Sequence, residues 1–98
     1  MDKGTFVIVR ANGSGVWAGN LGKRNGNELT LHNAIRLWRW YGANTCSELA
    51  QFGTARANEC KFANPVDEVL IFNVLEIIQA TPEAEASLKA VKVKEWWR

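Results

Sequence analysis

The chain has 98 residues, which suits a single domain over 1–98 with a modest hydrophobic core. It carries 12 Lys and Arg against 10 Asp and Glu, and its net charge of +2 lacks the basic stripe of a duplex-DNA-binding protein. No apolar run is long enough to span a membrane and the segment after Met1 does not resemble a signal peptide, so we expect a cytoplasmic protein without a membrane partner.

Three strands joined by tight turns are predicted for the first third of the chain. Residues 5–10 are β-branched and apolar, residues 15–22 alternate in character, and residues 28–32 place two leucines on one face. The Asn-Gly pairs at 12–13 and 25–26 are the strongest short signal for a hairpin. The sequence therefore predicts an antiparallel meander. Glycines in the second strand would let a backbone or a ligand approach closely.

The next segment, IRLWRWY (35–41), is predicted to be a separate strand that is covered on both faces. In a strand, alternate side chains point to opposite faces. One face would carry Ile35, Leu37, Arg39 and Tyr41, and the other Arg36, Trp38 and Trp40. Both faces mix bulky apolar groups with a guanidinium. We expect the core on one side and a partner or ligand on the other.

Two helices and two further strands are predicted for the rest of the chain. A helix over 45–52 begins with a capping box, and a helix over 82–90 follows an N-cap Thr and has Pro at its first position. The apolar run 66–80 breaks its alternation near 72–73, which indicates a bend between two strands. The tail 92–98 is either a last edge strand or a clamp on a neighbouring subunit. The expected fold is α+β, with five or six antiparallel strands, and it forms a homo-oligomer because sheet edges and surplus Trp need cover.

Sequence motifs of enzymes are absent. The chain has two cysteines, Cys46 and Cys60, and one histidine, His32, too few for a four-ligand zinc site. The motifs of serine hydrolases, zinc proteases, NTPases and dinucleotide-binding enzymes do not occur. A base–nucleophile pair of His32 and Cys46 stays open but lacks support. We expect reduced thiols, no metal, no cofactor and no catalysis.

The candidate site lies within residues 36–47, where aromatic rings, guanidinium groups and a helix start come together. Trp and Tyr can stack on a base, Arg can bind phosphate, and helix N–H groups attract anions. The candidate residues are Arg36, Trp38, Arg39, Trp40, Tyr41, Asn44, Thr45 and Ser47, with Trp17 and Arg10 as second-rank contacts. Alternatively, the Trp side chains fill a core or a subunit interface, and the arginines pair with Glu48 or Glu76.

A further pattern is carried by short segments from residue 6 to about residue 96. They are FVIVR (6–10), GVWAGNL (15–21), NAIRLWRWYGA (33–43), SELAQFG (47–53), NECKF (58–62), VDEV (66–69) and EII (76–78). Together they resemble a family of small tailed-phage proteins of unknown function. The resemblance implies a phage product in the host cytoplasm. By type it is similar to phage sponges that sequester the messengers of cyclic-oligonucleotide (CBASS) or ADP-ribose-type immunity.

Four functions follow from these observations. The first is sequestration of a cyclic dinucleotide or related immune messenger, without cleavage. The second is inhibition of a host factor by direct contact through the aromatic surface. The third is binding of single-stranded nucleic acid, which steep salt dependence would mark. The fourth is an enzyme, which would have to turn its ligand over.

Overall fold

Six antiparallel strands and two α-helices make up residues 1–93, the part of the chain that the computed structural model describes. The elements are β1 (Phe6–Ala11), β2 (Gly15–Asn25), β3 (Glu28–Arg39), α1 (Cys46–Phe52), a 3-10 turn (Ala57–Glu59), β4 (Lys61–Phe62), β5 (Val66–Ile71), β6 (Val74–Gln79) and α2 (Pro82–Lys89). The predicted α+β class is confirmed. The tail predicted at 92–98 lies, from residue 94 onward, outside the described residues.

The predicted meander and both predicted helices are present. Ala11 pairs with Gly15 at the first turn, and Asn25 pairs with Glu28 at the second. Each helix begins at the expected Thr: the Thr45 hydroxyl accepts from the Glu48 N–H, and the Thr81 hydroxyl from the Ala84 N–H. Local turn and cap chemistry thus fixes these boundaries.

The prediction of separate strands at 28–32 and 35–41 is wrong, because one strand, β3, runs from Glu28 to Arg39. The break in its alternation is a β-bulge. His32 lies opposite Asn20 and Ile35 lies opposite Ala18, so β3 has one residue more than β2 in this interval. Asn33 takes a left-handed φ of 50°, which Asn tolerates better than most residues. The bulge resets which side chains face each side of the sheet.

The sheet is open, but it curls strongly. Its order is β4-β3-β2-β1-β6, and β5 pairs with the other half of the β3 edge that β4 uses. Residues 72–73 alone connect β5 to β6, as the sequence predicted, although these strands lie on opposite edges. The Asn12 N–H donates to the Asn73 carbonyl at 2.9 Å, and the Val74 N–H donates to the Asn27 carbonyl at 3.0 Å. This connection therefore ties both N-terminal hairpins together.

Curling gives the protein two cores, one on each side of the sheet. The helix-side core lies between the sheet and the two helices, and its large members are Phe6, Ile8, Leu37, Leu49, Phe62 and Leu88. The inner core lies inside the curl and contains Val7, Val9, Ala11, Trp17, Leu29, Leu31, Ala34 and Ile71. Neighbouring residues of β1 and β3 alternate between these cores. The side of the sheet that a polar residue of β3 faces therefore depends on whether the residue lies before or after the bulge.

Gly53 permits the close packing of the two helices. It ends α1 with a φ of 74°, and a Cβ there would lie 2.5 Å from Ser87 of α2. The Ser87 hydroxyl also accepts from the Thr54 N–H at 3.0 Å. Within the described residues, no helix is long and apolar enough to cross a membrane.

Candidate ligand-binding site

Arg36 and Trp17 form a cross-strand pair on the inner-core side of the sheet. They are directly opposite in the β2–β3 ladder, and the Arg36 guanidinium carbon lies 4.3 Å from the centre of the Trp17 ring. The ring is only 6% exposed, and its Nε1–H donates to the Ser14 hydroxyl at 3.2 Å. A fixed indole thus supports a flat guanidinium at the surface, a favourable cation–π arrangement.

Within residues 1–93, no carboxylate forms an ion pair with the Arg36 guanidinium, which contacts the Trp17 ring. A guanidinium has five N–H donors in a fixed planar arrangement and stays charged at all physiological pH values. Arg36 therefore presents an oriented positive charge with donors available to an anion.

Two small cavities adjoin at Arg36. One, of about 200 Å³, lies between Arg36, Trp17 and the β5–β6 connection. The other, of about 190 Å³, lies between Arg36, the start of β2 and Trp38. Ser14 and Arg36 line both cavities. The guanidinium is thus accessible from two sides.

Large exposed apolar side chains flank these cavities. Trp38 is the extra residue of a second β-bulge, between Leu37 and Arg39, and is 66% exposed. Leu70 and Phe72 line the other cavity and are 51% and 55% exposed. We call Arg36, Trp17, Ser14, Trp38, Leu70 and Phe72 the Arg36 patch. It combines an oriented charge with exposed aromatic rings.

Three other predicted site residues lie away from the Arg36 patch. Arg39 is opposite Lys61 in the β3–β4 ladder and lines neither cavity. Trp40 is half-buried against the helix-side core, so it does not share a face with Trp38 as predicted. The reason is that β3 ends at Arg39 and alternation stops there. The Tyr41 ring lies 5.3 Å from the Arg56 guanidinium carbon.

The predicted anion site at the start of α1 is already occupied by side chains of the protein. Thr45 caps the helix, and Asn44 donates to Glu48 at 3.4 Å. The Glu48 carboxylate supplies the negative charge that a helix N-terminus favours. Ser47 is exposed in the first turn of this seven-residue helix. The structure does not bring these residues together with Arg36.

Arg10, the other second-rank residue, is neutralised. Its Nε donates to a Glu76 carboxylate oxygen at 2.9 Å, across the β1–β6 ladder. Cys46 lies close enough to Arg10 and Glu76 for both charges to affect the pKa of its thiol. Burial and the Glu76 carboxylate raise the pKa of the Cys46 thiol above its ordinary value, while Arg10 opposes them. The thiol therefore stays protonated and unreactive at neutral pH.

A groove that the sequence interpretation missed lies near the β2–β3 and β3–β5 pairings. It has a volume of about 620 Å³ and shares no lining residue with the Arg36 patch cavities. We call it the His32 groove. Its polar lining comes from Lys3, Asn20, Lys23, Thr30, His32 and Glu68. These residues are too far apart in sequence to form a motif. The sequence indicated the groove only through the glycines of β2, which permit close approach of a ligand.

A family model described as Domain of unknown function (DUF6948) matches residues 4–88. No curated protein and no solved structure matches the chain. Within the described residues, no group of three or more His, Cys, Asp or Glu side chains could hold a metal ion. The chemistry of the site must therefore be argued from its own residues.

Proposed function

The chain belongs to the DUF6948 family of unknown function. We propose that it is a binding protein for a nucleotide, which it sequesters without cleaving. The observation that carries this proposal is the Arg36 guanidinium, which lies over the ring of the buried Trp17 and forms no ion pair among the described residues. Its N–H donors match the oxygens of a phosphate. An exposed Trp beside it offers a surface on which a base can stack.

The ligand would extend over both cavities of the Arg36 patch. Each cavity is smaller than the roughly 300 Å³ at which ordinary small-molecule pockets begin. A cyclic dinucleotide, with two bases and two phosphates, would cover the patch and remain open to solvent on one side. We propose that a second subunit covers that side, as the exposed apolar residues around Arg36 favour.

The biological role of this binding would be sequestration of a nucleotide messenger. Small phage proteins of similar type neutralise host immunity by holding its nucleotide messenger. If the resemblance to tailed-phage proteins reflects origin, this protein acts in the host cytoplasm against such signalling.

A thermal-shift screen tests the proposal. The purified protein is heated with cyclic di- and trinucleotides and with ADP-ribose derivatives, and each compound is then recovered and weighed by mass spectrometry. A ligand at 100 times its dissociation constant adds about 2.7 kcal/mol to the free energy of unfolding. We expect a clear rise in melting temperature and an intact ligand. A ligand recovered as cleaved product would identify an enzyme instead.

Direct inhibition of a host protein is the second candidate, and the exposed apolar side chains favour it. Leu70, Phe72 and Leu75 are each more than half exposed, and rings beside an Arg are typical of interface hot spots. No shift with any nucleotide, together with retention of one host protein by the wild type but not by Phe72→Ser, would favour inhibition. Binding to oligonucleotides that strengthens with length and weakens steeply with salt would indicate single-stranded nucleic acid.

A further inference from the structure

The His32 groove combines two lysines, an imidazole and enough volume for a small molecule. At about 620 Å³ it falls within the range of ordinary ligand pockets. We propose that it is a second binding site, independent of the Arg36 patch, for a small phosphate monoester.

A bulge in β2 opens the floor of the groove. Leu21 lies opposite Leu31 and Arg24 lies opposite Leu29, so Gly22 and Lys23 together face one residue, Thr30. Bulges interrupt the hydrogen-bonded ladder and are common beside functional sites. This one directs Lys23 to the groove rather than into the regular alternation of the strand.

Gly22 is required because the His32 ring lies against it. A Cβ at residue 22 would be 2.6 Å from the Thr30 carbonyl oxygen and 2.8 Å from Nε2 of His32. The other ring nitrogen, Nδ1, is 3.5 Å from a Glu68 oxygen on β5. The imidazole thus lies at the groove wall, with the Gly22 backbone on one side and the Glu68 carboxylate near the other.

Lysines from separate segments supply the attraction for an anion. Lys3 precedes β1 and Lys23 lies in the bulge, and both line the groove. Neither takes part in an ion pair among residues 1–93. Among the described residues, Glu68 is the one carboxylate in the lining, so the two lysines and Glu68 together contribute a net charge of +1. Two unpaired ammonium groups beside a hydrogen-bonding imidazole suit a phosphate.

The histidine provides its own assay, because the chain has one His and its ring protons need no assignment. We would follow the His32 ring signals by NMR while adding AMP, inorganic phosphate or adenosine at constant ionic strength, with NaCl as reference. A saturable shift with AMP and with phosphate, absent with adenosine, is expected. A linear drift that NaCl reproduces, or an equal response to adenosine, would overturn the proposal.

Charge variants give effects of opposite sign. Lys3→Gln with Lys23→Gln should weaken AMP binding about tenfold, because two exposed attractive charges are lost. Glu68→Gln should strengthen binding severalfold, because a repulsive charge is removed. Lys92→Gln, an exposed charge outside the lining, is the matched control. Unchanged affinity in the double variant, with a native circular dichroism spectrum, would contradict the site.

The two sites can be tested separately. Arg36→Ala should leave the AMP titration of His32 unchanged, since Arg36 does not line the groove. Loss of that titration in Arg36→Ala would mean that one site, not two, binds the ligand. Failure of the nucleotide screen with a normal His32 titration would remove the function proposed for the Arg36 patch and leave the groove in place.

Discussion

Arg10 and Arg36 are both exposed arginines on central strands, yet they differ in what they can bind. Arg10 is on the helix side and is neutralised by Glu76 at 2.9 Å. Arg36 is on the inner side and lies on the Trp17 ring, with no ion pair among residues 1–93. The difference lies in the neighbouring side chain: the Glu76 carboxylate balances the charge of Arg10, whereas the Trp17 ring contacts Arg36 without cancelling its charge.

Trp17→Ala should have the largest effect, on stability. The ring is buried in the inner core and supports Arg36, so its removal should lower the free energy of unfolding by about 3–5 kcal/mol. Urea denaturation followed by circular dichroism measures this. Trp17→Phe, which keeps an aromatic ring, should lose less. A loss below about 1 kcal/mol for the alanine variant would show that the ring is not a core residue.

Arg36→Ala should come next, through ligand binding. Hydrogen bonds to a charged group contribute about 1.5–3 kcal/mol, so affinity for the nucleotide found in the screen should fall about 10- to 150-fold. Isothermal titration calorimetry measures it. Arg10→Ala is the matched control and should bind as the wild type does. An equal loss of nucleotide affinity in both variants would show that the ion pair with Glu76 does not distinguish Arg10 from Arg36 as a binding group.

Trp38→Ala should affect binding but hardly affect folding. The side chain is 66% exposed, so the free energy of unfolding should change by less than about 0.5 kcal/mol. Loss of stacking should weaken nucleotide binding by about 1–3 kcal/mol. Trp38→Phe should recover part of the affinity. A Trp38→Ala protein that binds normally would remove this ring from the site.

Glu76→Gln should have a small effect on stability and a measurable effect on the reactivity of Cys46. The Arg10–Glu76 pair is exposed, so its loss costs less than about 1 kcal/mol. The Glu76 carboxylate raises the pKa of the Cys46 thiol, so the variant should lower that pKa and speed alkylation at mildly alkaline pH. An unchanged alkylation rate would show that Glu76 does not act on the thiol.

The raised pKa of the Cys46 thiol also predicts how the free energy of unfolding changes with pH. A thiol whose pKa is higher in the folded than in the unfolded protein stabilises the fold fully below the unfolded pKa. That contribution is lost as pH rises through the folded pKa. Cys46→Ser should therefore reduce the loss of stability on the alkaline side, measured by urea denaturation between neutral and alkaline pH. A steeper alkaline loss in the variant would contradict the sign.

Local chemistry predicted much of the fold. The two Asn-Gly turns predicted the meander, and Thr45 and Thr81 predicted where the two helices begin. The bulge at Asn33 was missed because a single Asn carries little signal for a left-handed φ. That bulge joins two predicted strands into one and determines which face of β3 carries Arg36.

The grouping of residues at the candidate site was predicted only in part, because their contacts are long-range. Arg36, Trp38 and Trp17 were named from the sequence, and the structure brings them together. The pairing of Arg10 with Glu76 spans 66 residues and depends on β6 lying beside β1. The His32 groove likewise joins the N-terminus, two strands and β5. Spacing along the chain does not reveal such neighbours.

The most direct test of the Arg36 patch is the indole N–H region of a ¹H–¹⁵N NMR spectrum, recorded while cyclic dinucleotides are added. Trp→Phe variants assign the signals. If the Arg36 patch binds a nucleotide, the Trp17 and Trp38 indole signals shift in a saturable way and the Trp40 indole signal does not. If no indole responds to any nucleotide, or if Trp40 alone responds, the Arg36 patch is not a nucleotide site.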